Sequence, residues 1–165
     1  ERLVQTGIDQ GANLVVDGRD FNLQGYEDGF FVGAHLFDNV TKDMDIYKYE
    51  IFGPVLSTVR AETYEEALGL AMDHEYGNGT AIFTRDGDTA RDFANRVNVG
   101  MVGINVPIPV PLAYHTFGGW KKSVFGDLNQ HGPDAFKFYT RTKTVTSRWP
   151  SGTKEGGEFS IPVME

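Results

Sequence analysis

The sequence predicts an α/β fold, a parallel βαβαβ sheet with flanking helices, from three observations between Pro54 and Asn105. Three short apolar runs are typical of buried strands. Two amphipathic segments between them are typical of helices, and the connections are only a few residues long. Strands joined through a helix in one sheet run parallel with right-handed crossovers. We therefore expect helices packed on a parallel sheet in this region.

The first strand of this unit is expected at residues 55–61 (V-L-S-T-V-R-A), and a helix is expected to follow it. Thr63 has the side chain of an N-cap, and Glu66 lies three residues later, as in a capping box. The helix then carries one apolar stripe, which consists of Ala67, Leu68, Ala71 and Met72.

The second strand is expected at residues 80–84 (T-A-I-F-T), and Asp86 or Asp88 is expected to cap the helix after it. Gly100 is the expected end of that helix, and residues 101–105 (M-V-G-I-N) are the expected third strand. The apolar residues of the helix follow the i, i+3, i+4, i+7 spacing of a single face: Ala90, Phe93, Ala94 and Val97.

Two more strands are expected ahead of this unit, at residues 13–17 (N-L-V-V-D) and 30–37 (F-F-V-G-A-H-L-F). Residues 18–29 between them are rich in Gly, Asp and Asn, which favour turns. We expect the two strands to form a hairpin-like pair joined by a loop.

The segment after the third strand is expected to begin as an irregular loop. Prolines alternate through residues 106–111 (V-P-I-P-V-P), and proline cannot donate the hydrogen bonds of a central strand. Pro133 suits the first turn of a short helix that ends near Tyr139. Residues 142–149 (T-K-T-V-T-S-R-W) alternate as a strand, and the tail from residue 150 is expected to be frayed.

Composition and charge narrow the classes of partner. A chain of 165 residues, 40% of them hydrophobic, is large enough for one sizeable core. The formal net charge of −8 argues against a sequence-independent grip on nucleic acid or on an anionic membrane. No apolar run approaches the roughly 18 residues of a membrane span. Small molecules or other proteins are therefore the expected partners.

Cysteine and histidine usage excludes several kinds of site. The chain contains no cysteine, so it holds no disulfide, no thiolate metal site and no cysteine nucleophile. Its four histidines are scattered without the spacing of metal ligands, and no metal site is expected. The first residue is Glu1 rather than Met, and we expect the chain to be a piece of a longer protein.

The first motif with chemical potential is Y-E-I-F-G-P-V at residues 49–55. A carboxylate at the mouth of a parallel strand, here Glu50, is able to accept both hydroxyls of a ribose, as in other dinucleotide sites. The neighbouring Phe52 is able to bound a flat nicotinamide ring. The alternative is a solvated glutamate beside a buried phenylalanine, since most surface carboxylates are only solvated.

The second motif is F-G-G-W-K-K-S at residues 117–123. Adjacent glycines permit close approach of the backbone, and Phe117 closes the preceding proline loop. The alternative is a tight turn with a packed aromatic residue. Lys121 and Lys122 are within the motif and could reach a phosphate, but paired lysines in a glycine-rich turn are usually solvated.

Together the two motifs resemble the aldehyde dehydrogenase superfamily, in which E-x-F-G-P and a later F-G-G-x-K-x-S occur in this order around a βαβαβ region. The resemblance covers roughly residues 1–149. Three further segments look like the methylmalonate-semialdehyde dehydrogenase family: G-I-N-V-P-I-P-V-P at 103–111, F-G-D-L-N-Q-H-G at 125–132 and K-T-V-T-S-R-W at 143–149. The chain is similar to the carboxy-terminal part of such an enzyme.

The resemblance implies a role for four residues. Glu50 matches the glutamate that binds the nicotinamide ribose of NAD, and Phe52 matches the aromatic residue packed near the nicotinamide. Phe117 matches an aromatic residue that faces the aldehyde tunnel, and Pro109 lies in a loop that matches one near the same tunnel.

The resemblance also implies an NAD-dependent, coenzyme-A-acylating reaction that converts methylmalonate or malonate semialdehyde to propionyl-CoA or acetyl-CoA. The cysteine nucleophile would lie upstream of this chain, so the chain alone is expected to be inactive. Residues 1–139 would be part of the catalytic domain, and residues 140–165 would hold an oligomerisation strand and a tail. Self-association into a homodimer or homotetramer is expected, in the bacterial cytoplasm or the mitochondrial matrix.

Two other hypotheses stay open. The parent enzyme is a non-acylating aldehyde dehydrogenase in one of them, with water rather than coenzyme A resolving the thioester. In the other, the chain is a non-catalytic assembly module whose last strand pairs with a partner.

Overall fold

The computed structural model describes residues 1–149 of the chain, which contain both helices and strands. The helices are α1 (Arg2–Asp9), α2 (Asp45–Lys48), α3 (Tyr64–Asp73), α4 (Gly87–Arg96) and α5 (Ala135–Tyr139), the last preceded by a 3₁₀ turn at Gly132–Asp134. The strands are β1 (Asn13–Val16), β2 (His35–Asp38), β3 (Val55–Ser57), β4 (Tyr76–Gly77), β5 (Gly79–Ile82), β6 (Met101–Ile104) and β7 (Trp120–Lys121).

The first sheet has the order β1-β2-β3. β1 pairs with β2 in the antiparallel sense, which confirms the hairpin-like pair, and β2 pairs with β3 in the parallel sense. The second strand begins at His35, so the prediction that it begins at Phe30 was wrong. The two ends of the loop between β1 and β2 meet just before β2, where the amide N of Gly33 donates to the carbonyl O of Gly18 over 3.1 Å. This contact closes the loop, and residues 30–34 stay outside the hydrogen-bond ladder of β1 and β2.

Two helices that the sequence did not predict, α1 and α2, pack against this sheet. The core between them is centred on Phe37, which is fully buried, and its other buried members are Val4, Ala12, Val40, Met44 and Ile46. α1 was missed because Glu1 provides no side-chain cap, and α2 because it has only four residues.

Both predicted helix starts in the second half are confirmed. The Oγ1 of Thr63 accepts a hydrogen bond from the amide N of Glu66 over 3.2 Å. The carboxylate of Glu66 binds the amide N of Glu62 rather than that of Thr63, so only one bond of the capping box forms. Asp86 is the cap of α4, since its Oδ1 accepts from the amide nitrogens of Asp88 and Thr89.

The predicted three-stranded parallel unit is only partly correct. β5 and β6 pair in parallel through α4, as expected. β3 and β5, however, are not paired with each other among residues 1–149. After α3 the chain first forms β4, which pairs in the antiparallel sense with β7, and this two-residue ribbon directs the chain away from β3. A second core forms between α3, α4 and β6, from Leu68, Phe93, Val97 and Val99.

Five elements end earlier than predicted, three of them by more than one residue. β3 ends at Ser57 rather than residue 61, and β5 ends at Ile82 rather than residue 84. α4 ends at Arg96, before Gly100, because Val97 adopts an extended conformation with ψ 130°. The predicted ends lie further along the chain because the pattern of apolar side chains continues beyond the last backbone hydrogen bond of each element.

In the last described segment two predictions are confirmed and one stays a prediction. Residues 106–111 are irregular, and Pro133 lies in the first turn before α5. Residues 142–149 pair with no strand in residues 1–149, so the strand predicted there would need a partner outside the described part of this chain. The predicted frayed tail from residue 150 lies outside the described residues. No helix in residues 1–149 is long and apolar enough to cross a bilayer.

Candidate functional site

The loop at residues 50–54 connects α2 to β3 and holds Phe52 in an unusual conformation. Phe52 has φ 53°, in the left-handed region that an aromatic residue rarely adopts. Its side chain is nonetheless 90% exposed. The loop is held at its far end, where the amide N of His35 donates to the carbonyl O of Pro54 over 2.8 Å. The chain thus presents an aromatic ring to solvent from a strained backbone position, a feature that clusters at functional sites.

Glu50 lies on the same loop, two residues before Phe52. It is exposed, and its carboxylate has no hydrogen-bond or ion-pair partner within residues 1–149. An unpaired carboxylate keeps all its acceptor positions available, enough for two hydroxyl groups at once. Glu50 and Phe52 are therefore brought to one exposed loop.

A cavity of about 270 Å³ opens beside Phe52, between this loop and α1. His35 lines it, with only 2% of its side chain exposed, and neither ring nitrogen has a hydrogen-bond partner within residues 1–149. The carboxylate of Asp17 approaches this ring, but its Oδ1 lies 3.8 Å from Nε2 of His35, too far for a hydrogen bond. Sequence reasoning missed His35, although a histidine in an otherwise apolar strand was a visible signal.

The F-G-G-W-K-K-S motif forms a turn whose glycines are required. Gly118 and Gly119 have φ 82° and 86°. A Cβ on Gly118 would lie 2.3 Å from the carbonyl O of Asn78, and a Cβ on Gly100 would lie 2.5 Å from the Cα of Gly118. The predicted close backbone approach is confirmed, because three stretches of main chain meet at van der Waals distance here.

Phe117 is half-buried and lines a second cavity, of about 340 Å³. Its ring stacks on that of His131, with centroids 4.4 Å apart and planes 30° apart. Pro109 packs elsewhere, where its Cβ lies 3.2 Å from the position that a Cβ on Gly103 would take. Phe52 and Phe117 line separate cavities and Pro109 lines neither, so the predicted site residues lie in three places.

The two lysines of the second motif differ. Lys121 is half-buried, and its Nζ donates to backbone carbonyls at the end of α3, so the expectation that it is solvated was wrong. Lys122 is exposed and forms an ion pair with Glu75, with 2.5 Å between Nζ and Oε2. The hydrogen bond from Lys122 lowers the pKa of the Glu75 carboxyl.

The charged groups with shifted pKa values stabilise the scaffold. The hydrogen bond from the Arg19 guanidinium lowers the pKa of Asp17 to about 2. Burial raises the pKa of Tyr47, whose hydroxyl donates to the carbonyl O of Leu70 in α3.

Within residues 1–149 no three His, Asp or Glu side chains are close enough to share a metal ion. The arrangement can bind and orient a ligand, and covalent catalysis by cysteine would need residues outside this chain.

Comparisons with known proteins agree with this picture. The model of the aldehyde dehydrogenase family matches residues 1–145. A malonate-semialdehyde dehydrogenase of Pseudomonas aeruginosa is 59% identical over 98% of this chain, which spans 33% of that protein.

Two crystal structures are similar to the chain. One, assigned as a methylmalonate-semialdehyde dehydrogenase of Sinorhizobium meliloti complexed with NAD, is 75% identical, with a TM-score of 0.83 over 93% of this chain and 31% of its own. The methylmalonate-semialdehyde dehydrogenase of Oceanimonas doudoroffii is 58% identical, with a TM-score of 0.82 over 92% of this chain and 31% of its own. The chain thus spans about a third of the length of the relatives it matches. The family match, the two motifs and the fold lead to one conclusion: the chain belongs to the aldehyde dehydrogenase family.

Proposed function

We propose that the chain is the carboxy-terminal part of an NAD-dependent, coenzyme-A-acylating malonate- or methylmalonate-semialdehyde dehydrogenase. A cysteine thiolate upstream of this chain would add to the aldehyde carbon, hydride would leave that carbon, and the resulting thioester would pass to coenzyme A with loss of the substrate carboxyl as carbon dioxide. Hydride acceptance is the chemistry that NAD supplies when it is bound. The names of the relatives support the substrate class.

The observation that carries the proposal is the exposed pair on one loop, Glu50 and Phe52. A ribose needs an acceptor for two hydroxyls, and the carboxylate of Glu50 is unpaired within residues 1–149. A nicotinamide ring needs a flat apolar wall, and the ring of Phe52 is held out to solvent at φ 53°. Both requirements fit the residues present, and the similarity to an NAD-bound structure supports the same ligand.

Phe117 and Pro109 are proposed to line the path of the aldehyde. Phe117 is held by the stack on His131 and borders a cavity of about 340 Å³ that is partly apolar. Such a wall would orient a short aliphatic substrate without taking part in bond formation. Residues 142–149 are proposed to join subunits into a homodimer or homotetramer, and the bacterial relatives support a cytoplasmic location.

The test is the reaction of the full-length enzyme with malonate semialdehyde, NAD and coenzyme A. We expect NADH and acetyl-CoA in equal amounts, and no NADH from the 165-residue chain by itself, since it has no cysteine. Formation of the free acid in place of acetyl-CoA would favour the non-acylating alternative. NADH production by the isolated chain above a buffer control would contradict the proposal.

A further inference from the structure

The second half of the F-G-G-W-K-K-S motif is attached to the segment formed by the last turn of α3 and the connection to β5. Lys121, Lys122 and Ser123 each contact a residue of this segment, at positions 71–78. The first half of the motif carries the tight glycine turn and Phe117. The motif therefore borders the cavity of about 340 Å³ through Phe117, Gly118, Gly119 and Ser123, and it is attached to the end of α3 through Lys121.

Lys121 makes the strongest attachment. Its Nζ donates to the carbonyl oxygens of Met72, His74 and Ala71, over 2.7, 3.0 and 3.3 Å. An ammonium group has three N–H donors, so all of them are used and none remains for a phosphate.

α3 needs this contact because it ends without a cap of its own. His74 follows the helix in an extended conformation, with φ −62° and ψ 140°, and the last turn contains no basic residue. The carbonyls of a last helical turn have no partners within the helix and favour a cation. Lys121 supplies that cation from a distant part of the chain, at φ 53°, a strained backbone position that the contact stabilises.

Two further bonds fix the same turn. The amide N of Gly77 donates to the Oγ of Ser123 over 3.0 Å, and the amide N of Lys122 donates to the carbonyl O of Glu75 over 3.1 Å. The β4–β7 ribbon between them is only two residues long on each strand. So short a ladder is weak by itself, which leaves the side chains of Lys121 and Ser123 to hold the register.

We propose that Lys121 and Ser123 are positioning residues that lock the F-G-G turn, and with it the ring of Phe117, onto the C-terminus of α3. The kinetic consequence rests on the proposed function, in which Phe117 borders the path of the semialdehyde. Displacement of that wall lowers turnover of the semialdehyde and leaves the Glu50 and Phe52 loop in place, since that loop lies on other elements.

The experiment compares full-length variants by kinetics and by hydrogen exchange. Lys121→Met keeps the length of the side chain but removes its donors. Lys122→Met is the matched control: it makes the same change in charge, keeps the hydrogen bond from its amide N to Glu75 and removes only an exposed ion pair, which contributes little. We expect Lys121→Met to lower kcat/KM for the semialdehyde about 10-fold to 100-fold, the cost of a misplaced site, without changing the dissociation constant of NAD. Lys122→Met keeps wild-type values. Amides at residues 75–78 and 120–123 exchange faster in Lys121→Met, while those of α4 do not.

Ser123 provides the second pair of variants, in case Lys121→Met does not fold. Ser123→Ala removes one acceptor and lowers kcat/KM in the same direction, and Ser123→Thr, which keeps the hydroxyl, restores it. Wild-type kinetics and exchange in Lys121→Met and Ser123→Ala would overturn the proposal, as would an equal loss in Lys122→Met. If the wild-type enzyme does not turn over semialdehydes, the proposed function fails, and the exchange data alone then decide the role of Lys121.

Discussion

Phe52 shows at the scale of one residue how an exposed aromatic side chain differs from one in the core. A phenylalanine in the core of this chain, Phe37, is fully buried, whereas Phe52 is 90% exposed on a backbone at φ 53°. Neither exposure nor left-handed backbone stabilises the fold, since each costs free energy for an aromatic residue. The ring gains free energy only when another group covers it, and in the proposed function that group is the nicotinamide, with the unpaired carboxylate of Glu50 on the same loop to accept from the ribose.

The first prediction concerns Glu50 in the full-length enzyme. Glu50→Gln is expected to weaken NAD binding by on the order of 1–3 kcal/mol, because an amide accepts less strongly from ribose hydroxyls than a carboxylate does. Isothermal titration with NAD measures this loss, and thermal unfolding checks that the fold is intact. Glu62→Gln is the matched control, since that carboxylate is also exposed and unpaired within residues 1–149. Equal NAD affinity in both variants would make Glu50 only a solvated loop residue.

The second prediction concerns the acid stability of the first sheet. Hydrogen bonds from Arg19 lower the pKa of Asp17 from 3.8 to about 2. A carboxyl with a lowered folded-state pKa stabilises the fold above its unfolded pKa, and the contribution is lost as pH falls through the folded value. The free energy of unfolding should therefore be higher for wild type than for Asp17→Asn at neutral pH. This difference should shrink as pH falls from 3.8 to about 2.

Urea titrations at several pH values measure that difference for the Asp17 variant. Asp28→Asn is the control, because Asp28 is exposed and has no partner within residues 1–149. A difference that stays constant from neutral pH to pH 2 would show that the pair of Asp17 and Arg19 does not stabilise the folded state.

At the scale of elements, helix ends and glycine turns fix how the second half of the chain is arranged. α3 begins at a cap that lies next to it in sequence, Thr63, and ends at one that lies far away, Lys121. α4 is joined to α3 by Arg96, whose guanidinium binds Glu65 of α3 and Asp92 of its own helix. The pKa of Glu65 is lowered by its hydrogen bond to Arg96.

The third prediction concerns the F-G-G turn. Gly118→Ala should destabilise the protein by more than the roughly 1–2 kcal/mol that a left-handed backbone costs a non-glycine residue, because its Cβ would meet main chain of Asn78. Gly126→Ala is the matched control, since Gly126 has φ 80° but nothing within 4 Å of a Cβ. Urea denaturation of Gly126→Ala measures the cost of the left-handed backbone, and that of Gly118→Ala measures this cost together with the cost of the contact with Asn78. Equal losses would mean that the backbone of residues 78 and 118 separates at little cost.

At the scale of the whole molecule, the two cores belong to two separate sheets, β1-β2-β3 and β5-β6. Phe37 is the centre of one and Leu68 is the most buried residue of the other, while β3 and β5 do not pair with each other within residues 1–149. The last described segment adds exposed apolar surface, since Val145 is 75% and Trp149 is 88% exposed. Exposed strand-like sequence of this kind is open to pairing with another chain.

The fourth prediction concerns assembly of the full-length enzyme. Truncation after Tyr139 should shift it to smaller oligomers, because residues 142–149 would pair in a ladder that residues 1–149 of one chain do not provide. Light scattering at matched protein concentrations measures the mass. Truncation after Trp149 is the control that keeps this segment. If the truncation after Tyr139 leaves the oligomer unchanged, residues 140–149 have no role in assembly.

Several features of the fold and site were determined by the sequence alone, because they depend on neighbours a few residues apart. Thr63 and Asp86 begin helices through bonds to amides two or three positions later, and the face of Ala90 and Phe93 follows from helical spacing. The prolines at 106–111 exclude a central strand wherever they lie. The two motifs selected Glu50, Phe52 and Phe117 without coordinates.

Only the tertiary structure decided the features that depend on contacts between distant residues. No local pattern shows that Lys121 caps α3, because its three acceptors lie about 50 positions earlier in the chain. Pairing of strands is likewise a property of two segments, so the sequence of residues 142–149 predicted a strand that no partner in residues 1–149 completes. The exposure of Phe52 also needed the structure, since an aromatic residue just before a strand is equally suited to a core.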